Sequence, residues 1–199
     1  MPIPDRGVAS VTPGLMFLNG RRSVPARQLE APAPDDAVLE RMLAAAVRVP
    51  DHGKRVPWRF VRIAGAARDA LGEALVARAL ERDPDAGTAA LEKDRSRFHA
   101  PLAIAVVARL GPDDKIPEAE RYASACCVCF ALLLAAQAEG FGAQWLTGWI
   151  AYDRPFLEGT LGLAADEQLA GTIAIGTAAV AVPDRERPDV AHLLSDWRP

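Results

Sequence analysis

Histidine and cysteine are scarce in this chain of 199 residues, and neither is arranged for metal or disulfide chemistry. The three cysteines, Cys126, Cys127 and Cys129, fall in one segment. An odd, clustered set cannot build the disulfide framework of a secreted domain. On a helix these thiols diverge, with no histidine nearby to complete a metal cage, so they read as small buried hydrophobes. His52, His99 and His192 are scattered along the chain. The first residues carry no basic leader, and the apolar run at 15–18 is far too short for a signal or a membrane core. A reducing cytoplasm, with no membrane partner, is the expected setting.

Several nucleotide and hydrolase signatures are also missing. There is no Gly-x-Gly-x-x-Gly turn after a strand, no Walker lysine loop and no Gly-x-Ser-x-Gly elbow. A Rossmann dinucleotide site and a P-loop enzyme are therefore not expected. No nucleophile is marked for a triad built on one histidine, which leaves a redox cofactor bringing its own chemistry as the economical reading.

What the chain does have is a core. Half of its residues are hydrophobic and 25% are charged, enough for one packed globular domain over 1–199. The net charge of -3 argues against a nucleic-acid partner. Residues 21–62 nevertheless hold nine Arg or Lys against five Asp or Glu, a local +4 that leaves -7 elsewhere. Such an island is either a solvated helix face or a site for a small, multiply charged anion such as phosphate.

The pattern predicts α+β architecture with a mixed central sheet. Short helical character at 12–18 is followed by a helix opened by Asp35 or Asp36 and stopped by Pro50. Strands are expected over 58–63, 102–108 and 143–147, and again around 173–177. Residues 66–80, with a second polar helix from Thr88, read as a surface hairpin or lid. The longest helix, 117–139, is apolar on every side from 123 to 136 before Gly140 caps it. A helix like that needs cover all round, which a small monomer struggles to give. Residues 178–199 look like an extension that packs on something else, and about 1–14 like an arm.

Arg21, Arg22 and Ser23 sit at a chain reversal, while Arg48 and His52 sit at a helix end and in the loop after it. Guanidinium forks and a hydroxyl can hold a phosphate through charge-assisted hydrogen bonds. The same arginines can instead cap helix C-termini or pair with Asp35, Asp36 or Asp51. Charge alone does not decide between these readings.

The ordered set of motifs resembles the nitroreductase family, in particular its short bacterial subgroup. It consists of Arg21-Arg22-Ser23, then Arg48-Val49-Pro50-Asp51-His52-Gly53-Lys54 and Pro57-Trp58-Arg59-Phe60. Phe98-His99-Ala100-Pro101, Gly140-Phe141-Gly142-Ala143-Gln144-Trp145 and Gly176-Thr177 complete it. The resemblance implies FMN held at the interface of an intertwined homodimer, with the extension at 178–199 packed on the partner. It implies Arg21, Arg22 and Ser23 at the phosphate and ribityl end, with Arg48 and His52 reaching the flavin from the same chain. Leu146, Thr147 and Gly148 would lie against the ring. Ala136, Gln137, Ala138, Glu139, Gly140 and Phe141 match a stretch that takes the nicotinamide cofactor, NADH or NADPH.

The activity implied is ping-pong transfer of hydride from NAD(P)H through FMN to a nitroaromatic, quinone or similar small electron acceptor. No side chain acts as the catalytic group. Competing readings are a flavin-binding carrier or sensor without turnover, and a flavin-processing or dehalogenating relative on the same fold. Val24-Pro25 and Asp51-His52-Gly53 depart from many relatives, which bears on substrate identity. Arg185 and Arg187 stand roughly where some relatives place a phosphate-binding arginine. Trp149 reads as interface core or as a pocket wall.

Overall fold

A computed structural model describes residues 12–198. Its centre is β3 (Leu102–Arg109), the unbroken apolar run, every residue of which is buried up to Ala108. Alternation along a strand divides these side chains between two faces. Leu102, Ile104, Val106 and Ala108 enter one core, while Ala103, Ala105 and Val107 enter the other.

β3 is flanked by β2 (Trp58–Ala64) and β5 (Glu167–Ala178). The far edge of β5 carries β4 (Gly142–Leu146) and, beyond it, the two-residue β1 (Leu29–Glu30). Every pairing among the described residues is antiparallel, where a mixed sheet is expected from sequence. For β2 and β3 the reason lies in the connection. Between β2 and β3 the chain makes two helical passes, α3 (Ala66–Arg82) and α4 (Thr88–Arg95), and so returns to the end it left, Ala64 facing Leu102. A single crossover helix would have delivered it to the opposite end, as a parallel pair requires.

The first face is covered by α2 (Asp36–Ala46) and α5 (Glu118–Ala138). Asp35 caps α2, its carboxylate accepting from the Val38 amide at 2.8 Å. Gly140, with φ of +81°, ends α5, and Phe141 N–H bonds back to the Ala136 carbonyl at 2.8 Å. The second face takes α3 through Leu71 and Leu75, and α6 (Arg154–Gly159) through Phe156 and Leu157. The 66–95 hairpin is therefore anchored to the core by α3. α1 (Pro13–Asn19) lies outside both cores, with its helix start set by Thr12-Pro13.

α5 is long and apolar enough to cross a membrane by length and composition. Here one side packs on β3, β4, β5 and α2 through Val128, Leu132 and Ala136. The other side, Ala123, Cys127 and Phe130, is exposed. The cysteines divide accordingly. Cys129 is buried and Cys126 half-buried, and burial pushes both thiols up. Cys127 is exposed, contrary to the expectation of three buried thiols, because consecutive helical positions point about 100° apart.

Residues 179–198 form no strand or α-helix and pack little of their own apolar surface. Trp197 is 85% exposed, and Leu193 and Leu194 are similarly open. The expected arm falls mainly on residues outside those described.

Candidate active site

Arg21, Arg22 and Ser23 leave the end of α1 and lead into a segment that lies along β4. Val24 N–H bonds to the Ala143 carbonyl at 3.0 Å, and Ala26 N–H to Gln144 Oε1 at 2.6 Å. This close approach explains Gly142, whose side-chain space is filled by Leu29 and Val24. Arg21 Nη1 donates to Ser23 Oγ at 3.2 Å, and among the described residues no carboxylate pairs with Arg21. Arg22 is engaged: it donates to the Asn19 carbonyl at 2.7 Å and pairs with Asp184 at 2.9 Å.

Leu146, Thr147 and Gly148 end β4 and turn into the short helix Trp149–Ala151. Leu146 packs beside Val24 and Ala26, so the two clusters share the β4 edge. From Ala143 to Gly148 the chain reaches at most about 16 Å, at roughly 3.3 Å per residue. The Gly148 carbonyl accepts from Ala151 N–H at 3.1 Å. The Gly148 and Trp149 N–H groups find no acceptor among the described residues. Trp149 is half-buried; its indole donates to Asp94 at 3.2 Å, and Arg82 lies 4.4 Å over its ring.

Arg48 and His52 are elsewhere. The loop that carries them is tied to the start of α5, where Ser124 Oγ donates to the Pro50 carbonyl at 2.9 Å and His52 Nδ1 lies 2.6 Å from Glu120 Oε2. Asp51 gathers the turn by accepting from the Arg55 and Val56 amides. Lys54 and Val56 adopt left-handed backbone there, φ of 54° and 48°, a strained choice for a β-branched residue. Arg48 is exposed, with no side-chain hydrogen bond among the described residues. Of the acids expected to compete for arginines, Asp36 takes Arg62 at 2.7 Å and Asp35 caps α2.

Within one chain these groups do not converge. The Arg21 segment is fixed at the C-terminal end of α5, where Gln137 Nε2 donates to the Phe17 carbonyl at 2.8 Å. His52 sits at the N-terminal end, on Glu120. From Glu120 to Gln137 the helix rises about 25 Å at roughly 1.5 Å per residue, longer than an FMN molecule. One chain thus holds His52 at the opposite end of α5 from the Arg21 segment, which tells against the expectation that Arg48 and His52 reach the same ligand as Arg21 from the same chain.

The stretch 136–141 is the last turn of α5 and its cap. Ala136 is core, Phe141 is half-buried, and Gln137 holds α1. Glu139 pairs with Arg41 at 2.9 Å, and that hydrogen bond holds its carboxyl below the usual range. Ala138, Glu139 and Gly140 are exposed. Among the described residues no group of three His, Cys, Asp or Glu side chains converges as a metal site would require.

The profile of the Nitroreductase family matches residues 18–177. The chain belongs to the nitroreductase family. It is 35% identical over 164 residues to "Putative NAD(P)H nitroreductase YdjA" of Escherichia coli K12, covering 82% of this chain and 87% of that protein. Among solved structures, a nitroreductase-like protein from Bacillus cereus superimposes with a TM-score of 0.77 at 24% identity, over 96% of this chain and 98% of the other. A Desulfovibrio desulfuricans nitroreductase in complex with FMN gives a TM-score of 0.71 at 26% identity, over 96% and 100%. The α+β architecture of this nitroreductase-family chain is thus that of its relatives.

Sequence reading missed two residues beside the Thr147 turn. Arg97 donates to the Thr147 carbonyl, and Asp94 holds Trp149. Both lie in a helical hairpin remote in sequence from β4, and nothing in their local pattern announces the contact.

Proposed function

We propose that this nitroreductase-family protein is an FMN-dependent oxidoreductase that uses NADH or NADPH to reduce small electron acceptors such as nitroaromatics and quinones. The observation that carries the reading is the β4 edge, where, among the described residues, a guanidinium without a carboxylate partner sits beside a hydroxyl at one end and amides without acceptors lie at the other. A phosphate suits the first donor set, Arg21 with Ser23. The polar rim of an isoalloxazine suits the second, the Gly148 and Trp149 N–H groups. The span between them is on the scale of FMN. Held between these two donor sets, FMN would supply the redox chemistry that no side chain of the chain offers, linking NAD(P)H oxidation to acceptor reduction in a ping-pong cycle.

The chain's own residues bind and orient. Arg21 and Ser23 neutralise and fix the phosphate, and Leu146 offers an apolar contact beside the ring. Arg48 and His52 come from a second copy, because the length of α5 keeps them from the Arg21 cluster of their own chain. The exposed Ala123, Cys127 and Phe130 side of α5 and the open apolar residues of the tail support a homodimer whose copies cover these surfaces. The exposed thiol at Cys127 suits a reducing cytoplasm. The exposed backbone of Ala138, Glu139 and Gly140 is where the nicotinamide cofactor would touch the 136–141 stretch.

The test is direct. Protein mixed with FMN and desalted should remain yellow, and anaerobic NADH or NADPH should bleach the bound flavin. Colourless protein sinks the reading. Bound flavin that neither nucleotide bleaches leaves a carrier or sensor instead.

A further inference from the structure

Arg97 lies in the turn Ser96–Phe98 between α4 and β3, with its side chain directed at the Thr147–Gly148 peptide. Among the described residues no carboxylate pairs with it. Its Nε is buried with no partner among the described residues, and burial pushes the guanidinium's pKa down, opposed by nearby Asp94. A desolvated, unpaired cation is costly. Among the described residues its side chain makes one hydrogen bond, to the Thr147 carbonyl.

That bond fixes more than a carbonyl. In a trans peptide the C=O and the following N–H point in opposite directions. Holding the Thr147 oxygen on the guanidinium therefore turns the Gly148 N–H away from Arg97, to the side where it has no acceptor. The guanidinium also fills the space a side chain at position 148 would take, and Gly148 has φ of +83°, which glycine adopts readily. The Gly148 carbonyl is already spent on Ala151 N–H. Arg97 and Gly148 fit as a pair that leaves a single direction for the free amide.

We propose that Arg97 is a positioning residue for the flavin: it clamps the Thr147 carbonyl so that the Gly148 N–H is aimed at the electron-accepting edge of the bound ring. The inference rests on the FMN reading above. A guanidinium donating to the carbonyl also polarises the peptide and makes its N–H a better donor.

Arg97→Met removes the clamp while keeping an apolar stem. In the apoprotein, hydrogen exchange at the Ala151 and Tyr152 amides should accelerate, because the turn they close loses its anchor. In the holoprotein, FMN should still bind, the flavin midpoint potential should fall, and reduction by NAD(P)H should slow about tenfold, the scale of a misaimed donor. Arg97→Lys, which keeps the charge without the planar fork, should lie between.

Unchanged exchange in the apoprotein overturns the clamp. Faster exchange with an unaltered potential overturns its reach to the flavin. If Arg97→Met fails to fold, Gly148→Ala applies the same test by pushing the guanidinium off the turn, and an unshifted potential there overturns the proposal. Wild-type protein that takes up no FMN ends the underlying reading. Wild-type uptake with normal variants ends this proposal alone.

Discussion

The guanidinium of Arg22 and the carboxylate of Asp184 meet at 2.9 Å, tying the start of the proposed phosphate site to the C-terminal tail. Asp184 also accepts from Arg187 at 2.7 Å. That hydrogen bond, the Arg185 amide and the nearby charges of Arg187 and Arg22 hold its carboxyl below the usual range, so it is ionised at neutral pH. The negative tail residue therefore competes with any phosphate for Arg22. Asp184→Asn should tighten FMN binding about twofold to fivefold, the modest scale of an exposed ion pair, and the gain should shrink in high salt. Flavin fluorescence titrations at two ionic strengths check this. Weaker binding would mean that Asp184 orients Arg22 toward the ligand instead.

Arg21 has no such competitor among the described residues, so under the proposed reading its loss should cost more than that of Arg22. Arg21→Ala should cost FMN about 2 kcal/mol of binding, roughly thirtyfold in Kd, the scale of a lost charged hydrogen bond. Isothermal titration of the apoprotein measures it. Unchanged affinity removes Arg21 from the site.

A third expectation concerns stability rather than binding. Glu167, buried at the start of β5, accepts two bonds of 2.6 Å from Arg59 and one from the Ala164 amide. The Arg59 hydrogen bond chiefly holds its carboxyl below the usual range. A carboxyl depressed in the folded state stabilises fully above its unfolded pKa and loses that contribution as pH falls through the folded value. Glu167→Gln should therefore destabilise by about 2 kcal/mol at pH 7, and the gap should narrow progressively as pH falls below the ordinary glutamate range. Thermal melts of both proteins from pH 7 to 3 check the sign; a gap constant with pH contradicts the assignment.

Much of the fold was legible because its signals are local. Thr12-Pro13, Asp35 and Gly140 mark helix ends by backbone chemistry confined to a few residues, and the run at β3 is β-branched and short enough for a strand buried on both faces. The order of the motifs, from Arg21-Arg22-Ser23 to Gly176-Thr177, carried the family. The antiparallel sheet was not legible, since strand direction depends on the path the chain takes between strands, such as the two helical passes from β2 to β3. Nor was the separation of Arg21 from His52, because residues 31 positions apart in sequence acquire their distance from the length of α5. Asp184 and Arg97 were invisible as partners of Arg22 and Thr147 for the same reason: only the folded path brings them there.

The exposed side of α5 gives a fourth test. Phe130 is 44% exposed in the single chain, so Phe130→Glu should cost the isolated fold little, within about 1 kcal/mol. Between two copies it would bury carboxylates against apolar surface. Sedimentation should show a shift from dimer to monomer, accompanied by loss of FMN. A variant that stays dimeric and yellow excludes this side of α5 from the interface.

The last test separates a shared site from a site within one chain. If Arg21 and His52 that serve one flavin belong to different copies, Arg21→Ala and His52→Ala subunits should complement each other. Mixed and allowed to exchange, half of the dimers become hybrids, and each hybrid holds one site with both defects and one with none. About a quarter of all sites should then bind FMN with wild-type affinity, although neither parent has such sites. If both residues acted within one chain, every site in the mixture would carry one defect and no high-affinity fraction would appear. A flavin titration of the mixture distinguishes the two, because the intact quarter fills first.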